Sequence, residues 1–178
     1  RKSGRKGYPI VRSNVVQALD DADSLLSEKG YRPEIVFFDL PGTLKSDGVI
    51  KTLSQMDYIF TPVSADRFVV ESALQFVMMF NDNLVTTGLA KTKAISLFWT
   101  MVDGREKPGC TTCTANCSPK TTSVSLTRGL PDSKRFRREP SDDRKPVFRS
   151  TILPPDTSML KGSRIRELSE EICSIING

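Results

Sequence analysis

Three short apolar runs, each followed by polar or turn-forming residues, constrain the fold most strongly. They occupy residues 34–39, 57–63 and 93–100, and segments with apolar side chains at helical spacing separate them. Strand and helix patterns therefore alternate over residues 14–100. That alternation predicts an α/β fold with a doubly wound parallel sheet.

Capping residues predict where the helices begin and end. The first helix is expected to end near Gly30, and a short second helix is expected at 47–55. A long third helix follows the second strand, and a last helix closes the sequence. The expected N-cap residues are Ser13 for the first helix, Asp66 or Ser64 for the third and Ser163 for the last.

The composition indicates a soluble, globular, cytoplasmic protein. The chain has 178 residues, of which 38% are hydrophobic and 26% are charged. No apolar run approaches the roughly 20 residues that span a bilayer, and no signal peptide is visible. The sequence opens on Arg1 within a basic tail, residues 1–7, so we expect a single domain over 1–178 that is a fragment of a longer protein.

Histidine is absent from the sequence, and the net charge is +5. A catalytic site of the Ser-His-Asp or Cys-His type is therefore excluded within this chain, as is a metal site with histidine ligands. The positive charge permits an acidic partner such as nucleic acid but does not require one.

Asp39 stands where the first apolar run ends, in the segment EIVFFDLPGT at 34–43. Ligands of open parallel sheets bind at the carboxyl ends of the strands. A carboxylate there can orient Mg²⁺ or its water shell, and Gly42 would let a backbone N–H face a γ-phosphate. The alternative is an aspartate that only caps a turn.

Two later segments extend this pattern and carry a family resemblance. They are LFWTMVDGR at 97–105 and LPDSKRF at 130–136. Together with 34–43, in the same order and at similar spacing, they resemble the ParA/MinD-like (deviant Walker) P-loop ATPases. The nearest likeness is to the ParA-like conjugal transfer proteins of Bacteroidetes conjugative elements, and it covers most of residues 8–172.

The resemblance implies an ATPase that dimerises around ATP and Mg²⁺, binds DNA non-specifically and serves DNA partition or conjugative transfer. A further adaptor or conjugation protein is an implied partner, and a membrane is not. Asp39 would be the Walker B carboxylate, in indirect contact with Mg²⁺, and Gly42 would act with it in catalysis. The residues implied to contact the nucleotide are Pro41, Thr100, Asp103, Pro131 and Asp132.

The sequence departs from the family at the phosphate-binding loop. The pattern Lys-Gly-Gly-x-Gly-Lys-Ser/Thr does not occur in it, so no backbone amides or lysine cradle the phosphates. We expect an incomplete sheet of the P-loop NTPase type, without the N-terminal strand and phosphate loop. The chain would be the C-terminal portion of such an ATPase, inactive and without tight ATP binding by itself. The alternative is a non-catalytic protein- or DNA-binding module.

Three cysteines, Cys110, Cys113 and Cys117, form a C-x₂-C-x₃-C pattern within the atypical segment 109–129. Thiolates at this spacing can bind zinc or an iron–sulfur cluster, which makes a thiolate metal protein a third hypothesis. The fourth cysteine, Cys173, is expected to be a buried apolar thiol in the last helix. Another hypothesis is a local frameshift, because reading one nucleotide earlier permits a helical apolar face at 110–118 and a strand-like alternation at 123 and 125.

Basic residues begin within the last of the matching segments and continue after it. The positive charge favours contacts of Lys134, Arg135, Arg137 and Arg138 with DNA phosphates, and the resemblance adds support. A solvated loop is the alternative, since Glu139, Asp142 and Asp143 interrupt the positive charge.

Overall fold

A three-stranded parallel sheet organises the computed structural model, which describes residues 7–28, 32–44, 48–103, 123–125, 129–133 and 157–178. The strands lie side by side in chain order, β1 (Tyr58–Val63), β2 (Ala94–Trp99) and β3 (Ser123–Ser125). The helices are α1 (Ala18–Ser27), α2 (Val49–Ser54), α3 (Arg67–Phe80), α4 (Thr157–Leu160) and α5 (Ile165–Asn177), and a π-helical turn (Asn81–Val85) follows α3. The fold is α/β with a parallel sheet, as the sequence predicts.

The β1–β2 pair fixes which side chains form the core. The two strands pair in parallel from Tyr58–Ala94 to Val63–Trp99 without interruption. Residues at paired positions lie on the same face of the sheet, because side chains alternate along each strand. One face thus carries the buried residues Ile59, Val63, Ile95 and Leu97, which cluster with Ala73, Val77 and Phe80 of α3.

Helix α3 crosses from β1 back to β2 and begins at the expected cap. The Asp66 carboxylate accepts hydrogen bonds from the backbone N–H groups of Phe68 and Val69, at 2.8 and 3.2 Å. Such a bond satisfies N–H groups that have no partner within the helix. The side chain of Phe68 itself, in the first turn, is 77% exposed. Only the later turns of the predicted apolar face therefore pack on the sheet.

The opposite face of the sheet lies towards α5. Tyr58 points to this side by strand alternation, and its hydroxyl donates a hydrogen bond to the backbone oxygen of Ile176. The expected cap, Ser163, accepts a hydrogen bond from the backbone N–H of Ile165 at 3.3 Å, although Arg164 is the residue directly before the helix. The bond from Tyr58 thus connects the start of β1 to the end of α5.

The first expected strand is not a strand in the structure. Residues 35–40 run without helix, turn or bend, and they pair with no strand in the described ranges. A segment becomes a strand only when its backbone groups pair with a neighbouring backbone. The prediction of a strand at 34–39 is therefore wrong for this chain, although the strands expected at 57–63 and 93–100 are confirmed.

Two smaller expectations are also corrected. The first helix begins at Ala18 rather than directly after Ser13, because Asn14 accepts a hydrogen bond from the backbone N–H of Gln17 and closes a separate turn. Cys173 is exposed rather than buried, since α5 buries only Leu168 completely.

Several predicted features lie outside the described residues. They are the basic tail at 1–6, Gly30, the three cysteines Cys110, Cys113 and Cys117, and the basic residues Lys134, Arg135, Arg137 and Arg138.

The pairing of β3 with β2 bears on the frameshift hypothesis. Ser123 and Ser125 pair in register with Ile95 and Leu97, whose side chains are buried on the core face. The chain thus has serine at two positions that pair with buried residues of β2. The shifted reading has apolar residues at both.

We predict that Ser125→Val stabilises the protein by about 1 kcal/mol, because this position pairs with the buried Leu97 of β2 and valine favours a strand more than serine does. The free energy of unfolding, measured by urea denaturation, checks the change. Ser13→Val, at an exposed position before α1, is the matched control and should change stability by less than about 0.5 kcal/mol. An equal effect of both substitutions would contradict the register argument.

Candidate functional site

The carboxyl end of β2 is held against β1 by Thr100. Both its backbone N–H and its hydroxyl donate to the backbone oxygen of Val63, at 2.7 and 3.2 Å. Since Thr100 directly follows β2, this pair of bonds fixes where the chain leaves the sheet. The donor of the threonine hydroxyl is therefore used by the backbone, and its oxygen is left as a hydrogen-bond acceptor.

A second connection brings residues 129–133 to the same edge. Val102 and Pro131 form a parallel bridge, in which the backbone N–H of Val102 donates to Leu130 and that of Asp132 donates to Val102. The N–H of Leu130 donates to the oxygen of Trp99 at 2.8 Å. Four of the residues predicted to contact a nucleotide, Thr100, Asp103, Pro131 and Asp132, are thus brought to one end of the sheet.

Gly129 is the residue that allows this close approach. A Cβ added there would lie 2.9 Å from the Cβ of Trp99 and 3.2 Å from a methyl group of Val102. Real Cβ atoms do not approach other atoms so closely, so glycine is required here for packing. Gly129 is not among the residues that the sequence patterns assign to the site, and its place directly before Leu130 and Pro131 was the available signal.

The chain turns sharply between the two connections. Met101 has a φ of 54°, in the left-handed region that is uncommon for residues other than glycine. Asp103 and Asp132 each follow a residue of the bridge, and both are exposed. Two carboxylates therefore stand at the rim of this edge, each with a further interaction of its own.

Asp39, Pro41 and Gly42 lie elsewhere, on and after the segment 35–40. All three are exposed. Asp39 helps to line a cavity of about 730 Å³ between 35–40 and α1, and none of Thr100, Asp103, Pro131 or Asp132 lines it. A Cβ added to Gly42 would meet nothing within 4 Å, so neither packing nor a tight turn requires glycine there in this structure.

The two groups of residues fit a nucleotide only in part. The end of β2 offers exposed carboxylates and a fixed backbone, which suit hydrogen bonding to a base. In the described ranges, no three of the His, Cys, Asp and Glu side chains gather as metal ligands, and Asp39 shares its cavity with one other carboxylate, Asp21. Nothing in those ranges forms a cradle of glycine amides for phosphates. The residues therefore fit Mg²⁺ and a triphosphate poorly.

Comparison with protein-family models, with curated proteins and with solved structures finds no match to this chain. Among the described helices, none is long and apolar enough to cross a membrane.

We predict that Gly129→Ala destabilises the protein by about 1–3 kcal/mol, because the new methyl group overlaps Trp99 and must displace the backbone that carries Pro131. Gly42→Ala is the matched control, since its methyl group enters open space. Urea denaturation of both variants gives the comparison. Equal stability of the two variants would contradict the packing at the end of β2.

Proposed function

We propose that this chain is part of a ParA/MinD-like ATPase that acts in DNA partition or conjugative transfer, and that by itself it binds the base side of a nucleotide without hydrolysing it. The finer fold that goes with this proposal is an incomplete doubly wound sheet of the P-loop NTPase type. A cytoplasmic location, dimerisation and an adaptor or conjugation protein as partner belong to the same proposal.

The observation that carries the proposal is the meeting of 100–103 with 129–133 at the carboxyl end of the parallel sheet. Open parallel sheets bind their ligands at this end. The two segments that meet there are those that resemble the base-side segments of the family. Two carboxylates, Asp103 and Asp132, are exposed at that edge and can accept hydrogen bonds from an amino group.

Asp39 lies apart from the residues at the end of β2, so the Mg²⁺ side and the base side of the proposed site are separate. The carboxylate of Asp39 is proposed to act on the Mg²⁺ side. It lines a cavity, however, that none of the base-side residues lines. The sequence also contains no phosphate-binding loop. The binding free energy for a nucleotide should therefore come from the base and not from the phosphates.

We predict that the purified chain binds adenosine and ATP equally and weakly, with Kd values of about 1 mM, and does not hydrolyse ATP. NMR titration measures both affinities, and phosphate release measures hydrolysis. Asp132→Ala should weaken binding of both ligands by severalfold, whereas Asp82→Ala, an exposed aspartate on the π-helical turn, should not. ATP binding much tighter than that of adenosine, or hydrolysis above background, would overturn the proposal.

The second candidate is a non-catalytic module that binds protein or DNA. Exposed apolar side chains at Ile35, Val36 and Phe37 favour a protein-binding surface. The basic cluster at 134–138 favours DNA, although it lies outside the described residues.

We predict that the logarithm of DNA affinity falls linearly with the logarithm of salt concentration. Replacing Lys134, Arg135, Arg137 and Arg138 with alanine should make the slope shallower by up to about 0.9 for each phosphate that is no longer neutralised. Fluorescence anisotropy with a labelled duplex of arbitrary sequence measures the slope. Lys51, Lys91, Lys93 and Arg166, replaced together, are the matched control. An unchanged slope in the first variant would exclude the cluster as the DNA-binding surface.

A further inference from the structure

The segment 35–40 has the sequence of an interior strand but no neighbour. Its side chains are Ile, Val, Phe, Phe, Asp and Leu, a nearly continuous apolar run. Such runs are typical of parallel strands that are buried on both faces. Yet Ile35 is 40% exposed, Val36 44% and Phe37 77%. Three consecutive side chains of the segment are therefore accessible to water.

The backbone of 35–40 also lacks hydrogen-bond partners within the part of the chain that the structure describes. Among the described residues, the backbone N–H and C=O groups of 35–40 make no hydrogen bond to another backbone group. A row of six N–H donors and six C=O acceptors on consecutive residues matches one chemical partner best, which is a second backbone in extended form. A small molecule or a helix offers no matching repeat of donors and acceptors.

A cavity of about 730 Å³ lies directly beside the segment. Its volume falls within the range of about 300–1,000 Å³ that is usual for ligand clefts. All six residues of 35–40 line it, together with the stretch 8–15 before α1 and the apolar side chains of α1 itself, which are Ala18, Ala22, Leu25 and Leu26. We call this space the 35–40 cleft.

The walls of the cleft are attached to the rest of the fold. The hydroxyl of Thr52 in α2 donates to the backbone oxygen of Val15, which lines the cleft before α1. Gly48, with a φ of 87°, lets α2 approach this stretch, since a Cβ there would lie 3.1 Å from the Cα of Val16. The α1 side of the cleft is thus positioned by contacts independent of any occupant.

The charges of the cleft are of one sign. Its charged lining residues are Asp21 on α1 and Asp39 at the end of the segment, and both are acidic. An occupant that carries lysine or arginine would offset these charges, whereas an acidic occupant would be repelled. Charge and backbone pattern together define the chemistry of the occupant.

We propose that the 35–40 cleft takes an extended apolar peptide that carries a basic side chain and pairs with 35–40 as a β-strand. Main-chain hydrogen bonds would supply the pairing, and alternate side chains would pack against α1 and the exposed Phe37. This inference rests on the second candidate function, a module that binds protein, and names the chemistry of its partner; base binding at the end of β2 and DNA binding are tested separately.

The test uses the full chain and a short fluorescent peptide of alternating valine and threonine with a lysine at each end. We expect saturable binding in fluorescence anisotropy and slower amide hydrogen exchange across 35–40 when the peptide is bound. The same peptide with N-methylated amides on alternate residues should not bind, because it cannot donate the pairing hydrogen bonds. Equal binding of the two peptides, or no binding of either, would overturn the proposal.

Matched variants locate the site. Phe37→Ser should weaken peptide binding by about tenfold or more, and Phe68→Ser should leave it unchanged. The two phenylalanines are equally exposed, at 77% each, so neither change should alter the melting temperature appreciably. Equal effects of the two variants would show nonspecific hydrophobic binding and would overturn the assignment to the cleft.

Neighbouring carboxylates test the charge argument. Asp21 lines the cleft and Asp20 does not, although both are exposed on α1. Asp21→Asn should weaken binding of the lysine-ended peptide by about twofold to fivefold at low salt, and Asp20→Asn should have a smaller effect. Sedimentation at rising protein concentration without peptide provides a separate measurement. A dimer whose formation blocks peptide binding and protects 35–40 would identify a second copy as the occupant and overturn the peptide proposal.

Discussion

The parallel pairing of β1 with β2 is the interaction on which the described structure depends. It places Ile59 beside Ile95 and Thr61 beside Leu97, and so creates the apolar face that Val77 of α3 covers. The same register brings the start of the β2 exit loop to Val63, where Thr100 donates two hydrogen bonds. Core and candidate site are therefore consequences of one ladder of backbone hydrogen bonds.

Sequence patterns were sufficient where local chemistry and tertiary context agree. The strands at Tyr58–Val63 and Ala94–Trp99 have apolar runs bounded by polar residues, and Asp66 has a carboxylate three residues before Val69. Each strand pairs with another strand of the chain, and Asp66 accepts hydrogen bonds from the helix that it was expected to cap. The α/β class could be predicted because strand and helix patterns alternate along the sequence. An error of a few residues at the end of an element does not change that alternation.

Sequence patterns were insufficient where a partner decides the outcome. The run at 35–40 has the composition of a strand, but composition cannot show whether a neighbouring backbone exists to pair with it. Cys173 lies among isoleucines of an amphipathic helix, and only the packing of α5 shows that its position is exposed. At the candidate site, Thr100 and Pro131 could be placed near a strand end, whereas the bridge between Val102 and Pro131 depends on Gly129 fitting against Trp99.

The position of the 35–40 segment along the chain also matters during synthesis. Residues 35–40 leave the ribosome before β1, α3 and β2, and those elements then pair with one another rather than with it. An apolar stretch that stays exposed during synthesis is a site for aggregation or for capture by a chaperone. The yield of folded protein in a cell should therefore depend on how soon something covers Phe37, more than on the stability of the sheet that forms afterwards.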